Sequence, residues 1–174
     1  MSNLKRNEFN FNPVLDGITH DGSQLNLGMS CYALKIYYMT GLWQELSDEE
    51  KKNWIEYINS FQASMKEFPE NSFIDENYLD SFWNFSLSGK IKNFIKILVN
   101  FFRPNQFILD NDRIQNFIRA ETKQAISTLF QVDSKNKETY EMGFKNKEEL
   151  NNYLNNLDWS KPWNAGAQFS AVCV

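Results

Sequence analysis

The stretch "LSDEEKKNWIEYINSFQ", Leu46 to Gln62, decides the fold. Ser47 stands three residues before Glu50, the spacing of a capping box. In that box the serine hydroxyl takes one orphaned backbone donor of a helix start and the glutamate takes another. Trp54, Ile55, Ile58 and Phe61 then recur at i, i+1, i+4 and i+7, so one face is apolar and the opposite face is charged. Such a helix is stable only when its stripe packs against other elements.

Upstream, "MSCYALKIYYMTG" predicts a helix from about Met29 to Thr40, with Tyr32, Ile36 and Met39 along one face and Gly41 as a left-handed cap. Downstream, "KEFPENSFIDENYLDSFWNFSLSG" reads as short helical turns packed on their neighbours. "KIKNFIKILVNFF", Lys90 to Phe102, predicts a helix in which Lys92, Asn93, Lys96 and Asn100 share one arc and apolar residues fill the rest, ended by Arg103 and Pro104. "DNDRIQNFIRAETKQAISTLFQV" places Ile114, Phe117, Ile118, Ala125, Ile126 and Leu129 at three- and four-residue steps. One helix, or two broken near Arg119, fits, with Asp110 and Asp112 as candidate caps. Asn146 and Glu149 open a further helix with Leu150, Tyr153, Leu154 and Leu157 as its stripe, and Pro162 suits the first turn of a last one. No segment alternates with period two. The expectation is a single all-α domain over residues 1–174, with six or seven helices in antiparallel pairs, either as the N-terminal part of a longer protein or complete.

A chain of 174 residues hides roughly 70% of its unfolded surface on folding, so a sizeable core is expected. With an aromatic fraction of 16%, that core should be ring-rich. A net charge of −4 and a pI of about 5.1 argue against a nucleic-acid partner, whose phosphates need clustered lysine and arginine. No leader-like apolar run follows the basic start, which points to the cytoplasm, and no stretch has the roughly 18 apolar residues of a membrane span. The abundance of Asn, Lys, Ile and Phe is what an AT-rich bacterial genome encodes. Cys31 and Cys173 lie far apart among apolar and small residues, which reads as two buried free thiols rather than a disulfide or zinc pair. No metal and no cofactor is implied.

"LSDEEKKNWIEYINSFQ" resembles the outer helix that recurs in α/α-toroid proteins of the terpene cyclase and prenyltransferase type. "CYALKIYYMTG" is similar to their inner helices, and "RAETKQAISTL" with "WSKPWNAGAQFSA" to a later pair. The resemblance implies an incomplete α/α toroid or short helical solenoid, and a role in glycan or isoprenoid metabolism; a non-catalytic helical binding or scaffold module is the alternative. The family's Asp-rich motifs have no match in "LDND" at Leu109 to Asp112 or in "SDEE" at Ser47 to Glu50. A zinc site built on histidine has only His20 to draw on.

Four sets of residues are candidates for ligand contact. His20 and Asp21, in "GITHDGSQ", are a base and its orienting carboxylate or ordinary turn chemistry. Arg119, one turn before Lys123 and near Glu121 and Gln124, offers a guanidinium fork to an acidic or hydroxylated ligand, or is a solvated helix face. The basic face of Lys90 to Arg103 suits an anionic membrane surface, although filling a two-layer interior is the favoured role for its apolar arc. Trp159 and Trp163 around Pro162, with Gln168 in the helix that follows, fit a cavity rim for a sugar ring or an isoprenoid chain, or a staple for the start of the last helix. In that helix Gly166 with Ser170, and Ala167 with Ala171, make two small-residue ridges that invite close packing by a downstream domain or a second copy.

Overall fold

The computed structural model describes residues 2–83, 87–103, 107 and 109–173. After a 3-10 turn at Ser2–Leu4, the chain runs through a single turn α1 (His20–Ser23), α2 (Asn26–Met39), a second single turn α3 (Leu42–Glu45) and α4 (Asp48–Asn59). Two short strands follow, β1 (Gln62–Ala63) and β2 (Ser72–Phe73). Then come α5 (Glu76–Trp83), α6 (Leu87–Phe102), α7 (Asp110–Gln131), α8 (Lys147–Asn155) and α9 (Pro162–Ser170). The domain is therefore mostly helical rather than all-α. The antiparallel β1–β2 ribbon, with Gln62 opposite Phe73 and Ala63 opposite Ser72, lies where the sequence predicts helical turns.

Two-residue strands carry no readable alternation, and this ribbon exists through tertiary contacts. Phe73 is buried, and its N–H donates to the Thr122 hydroxyl of α7 at 3.0 Å. The Ile74 N–H bonds the Phe61 carbonyl at 2.8 Å. Asn71, at φ 59°, and the Ser64 hydroxyl close the turn between the strands.

Several local expectations are met. The capping box at Ser47 is complete: its hydroxyl accepts the Glu50 N–H at 3.2 Å and Glu50 Oε2 accepts the Ser47 N–H at 2.8 Å. Gly41 adopts φ 82°, the left-handed conformation that ends α2 and opens α3. Pro162 takes the first turn of α9. Asn146 caps α8 by accepting the Glu149 N–H at 2.9 Å, while Glu149 reaches back to the Lys145 N–H rather than to Asn146. The helix α7 is continuous through Arg119. Its cap residue is Leu109, which has no side-chain acceptor, so Asp110 and Asp112 lie inside the first turn instead of capping it. Pro104 and residues 84–86 of the loose segment lie outside the described residues.

The start of α2 shows a cap that sequence spacing cannot reveal. Leu25 stands at its N-cap with no side chain able to accept, and the orphaned N–H groups of Asn26 and Leu27 both donate to Asp75 Oδ2, at 2.6 and 3.0 Å. A carboxylate from the start of α5 thus does what a local serine would do, in the favourable field of a helix N-terminus. The face of α2 that turns inward is Leu27, Ser30, Cys31 and Leu34, while Tyr32, Ile36 and Met39 face outward.

Trp54 is the centre of the larger core. Phe11 stacks on it at 5.8 Å, Tyr37 meets it edge-on at 5.1 Å, Trp43 lies 6.2 Å away, and its indole N–H donates to the buried Ser30 hydroxyl at 2.9 Å. With Leu27, Leu34, Ile58, Phe73, Ala125 and Leu129, these rings join α2, α3, α4, β2 and α7. A second cluster, Phe68, Ile74, Leu79, Ile114 and Ile118, packs the ribbon and α5 on the first half of α7. The ring-rich core is therefore present, but Phe94, Phe101, Phe102, Phe130, Trp159 and Trp163 lie outside it. Cys31 is buried, and burial pushes its thiol up to about 12; Cys173 is exposed, which corrects the reading of two buried thiols.

Candidate functional site

Three helices each contribute a short polar stripe to one cleft. On α7, Asp112, Gln115, Asn116 and Arg119 recur at helical spacing on one face, which keeps them off the face that carries Ile114 and Ile118. On α8, Tyr153 and Asn156 lie one turn apart. On α9, Asn164 and Gln168 are at i and i+4, and the Gln168 amide donates to the Asn164 carbonyl oxygen at 3.2 Å. Two contacts bring α9 to α7: the burial of Ala165 and Ala171, and the Lys123 ammonium, which donates to the Ser170 hydroxyl at 2.9 Å. The enclosed volume is about 480 Å³, with Phe107, Asp158 and Lys161 completing the wall. A neighbouring hollow of about 350 Å³ shares Asn116, Arg119, Tyr153, Asn164 and Gln168, so these five residues lie between the two.

At the centre, the Arg119 guanidinium lies over the Tyr153 ring, 5.3 Å from its centroid. This stacking leaves the guanidinium edge, with its N–H fork, available to a ligand in the plane. The Tyr153 ring is steadied from another side by Phe144 at 5.2 Å. Its hydroxyl is shielded from solvent and has no hydrogen-bond partner among the described residues. Such a group costs about 1–3 kcal/mol of desolvation, so in a native structure it asks for a reason.

The other charged groups of the cleft are partly engaged. Asp158 accepts from the Ser160 hydroxyl at 2.5 Å and pairs with Lys161 at 3.2 Å; the serine bond first, and the lysine with it, hold its carboxyl below the usual carboxylate range. The Gln115 amide donates to the Glu67 carbonyl at 2.5 Å, which fixes the loop before β2.

Of the residues picked from sequence, Arg119 and Gln168 come together in this cleft. Trp159 and Trp163 do not line it. Trp159 packs on Phe169 at 6.3 Å and Trp163 is 94% exposed, so of the two only Trp159 steadies the start of α9. His20 and Asp21 lie in the exposed turn α1, where the Thr19 hydroxyl accepts the Gly22 N–H at 3.0 Å and the Ser23 hydroxyl donates to the His20 carbonyl at 2.6 Å. That is turn chemistry, remote from the cleft lining. Along α9, nothing lies within 4 Å of where a side chain at Gly166 would begin. Among the described residues no group of His, Cys, Asp or Glu is arranged to hold a metal ion.

Sequence reading missed Asp112, Asn116, Tyr153, Asn156 and Asn164. The signal existed as polar residues at helical steps on each of three helices, but each stripe alone is indistinguishable from a solvated face.

A second buried polar cluster lies between α2 and α7. Glu121 faces Gly28, where an added Cβ would sit 3.2 Å from Glu121 Oε1, and its Oε2 is shielded from solvent without a partner among the described residues. Burial, and then the nearby Asp75 carboxylate, push the Glu121 carboxyl up to about 7. Asp75 is itself raised by burial, against the N–H groups it accepts. One turn further along, Lys35 donates to the Gln124 and Ser127 side chains at 3.3 and 3.2 Å. These groups do not line the cleft.

Comparison with protein-family models, with curated proteins and with solved structures gave no match.

Proposed function

We propose that the domain is a non-catalytic binding module for an acidic, hydroxyl-rich ligand of the glycan class, taken up in the α7–α8–α9 cleft. The observation that carries this reading is the pairing of the Arg119 guanidinium with the shielded, partnerless Tyr153 hydroxyl in an amide-lined hollow. A carboxylate meets the guanidinium fork with two parallel bonds. Sugar hydroxyls both donate and accept, which suits the Asn116, Asn164 and Gln168 amides and would satisfy the tyrosine. An isoprenoid chain would desolvate these amides without bonding them, so the lining favours a glycan over a terpenoid. The carboxyl raised most clearly toward neutral pH, Glu121, lies outside the cleft, which favours binding over acid–base catalysis. In this reading the toroid resemblance describes an arc whose wall is α7 with α8 and α9; its support is the helical build and the packing of α9 back onto α7.

Calorimetric titration with glucuronate and with glucose tests the idea. Glucuronate should bind the wild type more tightly than glucose does, and Arg119→Ala should weaken glucuronate binding at least about tenfold, the size of one lost charge-assisted bond. Tyr153→Phe should weaken it severalfold while raising the unfolding midpoint, because an unsatisfied hydroxyl leaves the interior. Failure of both sugars to bind, or indifference of binding to both substitutions, refutes the assignment.

A further inference from the structure

The helix α6 is turned the wrong way for a core element. Its polar side, with Asn93, Lys96 and Asn100, is half-buried, and its apolar side faces out. Asn100 bonds both backbone groups of Phe107, donating to its carbonyl at 2.7 Å and accepting from its N–H at 2.9 Å, which fastens this side to the chain at the cleft wall. Outward lie Ile91, Phe94, Ile95, Ile97 and Leu98, with Phe101 and Phe102 at 79% and 78% exposure. The sequence favours core filling for this arc; the structure corrects that expectation, because no described element covers it.

Charge says what would cover it. Segment 87–103 holds four basic residues, Lys90, Lys92, Lys96 and Arg103, and no acidic one. The whole chain is at −4, so the rest of it carries −8. Lys92, Lys96 and Arg103 fall at i, i+4 and i+11, a single stripe along the helix. A wide apolar arc beside such a stripe, on a helix otherwise free of negative charge, matches a surface that is apolar below and anionic at its edge. At about 1.5 Å per residue the helix is about 24 Å long, short of the roughly 30 Å of a bilayer core, and no helix among the described residues is long and apolar enough to cross a membrane. A second copy of the chain fits less well. It would bring two such basic segments together, and one helix face about 24 Å by about 10 Å falls well short of the roughly 800 Å² per partner of a stable interface.

We propose that α6 docks this domain on the surface of a bilayer containing anionic lipid, with Ile91, Phe94, Leu98 and Phe101 sunk at the headgroup boundary and Lys92 and Arg103 against the lipid phosphates. Vesicle flotation of the full chain tests it, using phosphatidylcholine alone and phosphatidylcholine mixed with phosphatidylserine, at low and high salt. The protein should float with the mixed vesicles, at least about tenfold more than with the neutral ones, and lose most of that binding in high salt. Phe94→Ser with Phe101→Ser should reduce partitioning at least about tenfold, from the apolar burial given up. Lys92→Glu with Arg103→Glu should do the same, at about fivefold or more for each charge. All four side chains are exposed, so the unfolding midpoint should not move. Equal flotation with neutral vesicles, or none with either kind, overturns the proposal. So does a dimer in sedimentation equilibrium that dissociates on the phenylalanine substitutions, which would assign the face to a second copy.

Discussion

Replacing Glu121 by glutamine removes a carboxyl that the folded chain keeps protonated and the unfolded chain does not. Its ordinary value is 4.5, and in the fold burial, with the Asp75 charge, pushes it up to about 7. Between those values the native state holds a proton that the unfolded state has released, so raising the pH favours unfolding. The stability present below about pH 4.5 is lost progressively up to about pH 7 and is level above it. The gap corresponds to about 3 kcal/mol, an upper figure because the Glu121 carboxylate can relax or admit water once charged. Asp75, raised in the same direction, adds a slope of the same sign that begins at lower pH. Glutamine has the same shape and never ionises. Glu121→Gln should therefore match the wild type near pH 4.5 and exceed it by up to about 3 kcal/mol at pH 8. For a chain of this length that is about 6–12 °C in unfolding midpoint. Urea denaturation followed by circular dichroism, in steps from pH 4.5 to 8, reads it directly. A wild type whose stability is flat between pH 5 and 7, or a variant less stable than wild type at pH 8, refutes the reasoning: the first would mean the carboxyl is not raised, the second that the carboxylate is stabilised by groups the amide cannot replace.

Two further substitutions probe what holds the fold. Ser47→Ala removes one half of the capping box and should cost about 1 kcal/mol, seen as a lower urea midpoint with unchanged slope. Trp54→Ala empties the centre of the larger core and should cost about 3–5 kcal/mol, whereas Trp163→Ala, at a nearly fully exposed ring, should stay within about 0.5 kcal/mol in the same denaturation series.

The capping box at Ser47, the left-handed Gly41, the proline at the start of α9 and the stripe of Trp54 and Ile58 were legible because their causes lie within about one or two helical turns of chain. A hydrogen bond between residues three apart, or a side-chain period of 3.6, is written in the order of the letters. The candidate cleft was legible only in pieces. Arg119 and Gln168 each look like a solvated polar residue until α9 packs on α7 and Tyr153 slides under the guanidinium.

By itself, then, the sequence determined a mostly helical domain, its main helix starts and an apolar stripe on each long helix. Only the tertiary structure decided that Asp75 caps a helix that begins 49 residues before it, that a two-residue strand is pinned by Thr122, and that α6 turns its polar side inward. The physical reason is that amphipathicity specifies two faces without saying which neighbour each will meet. That choice is made by contacts between residues tens of positions apart, where local propensity is silent and packing, charge and buried hydrogen bonds compete directly.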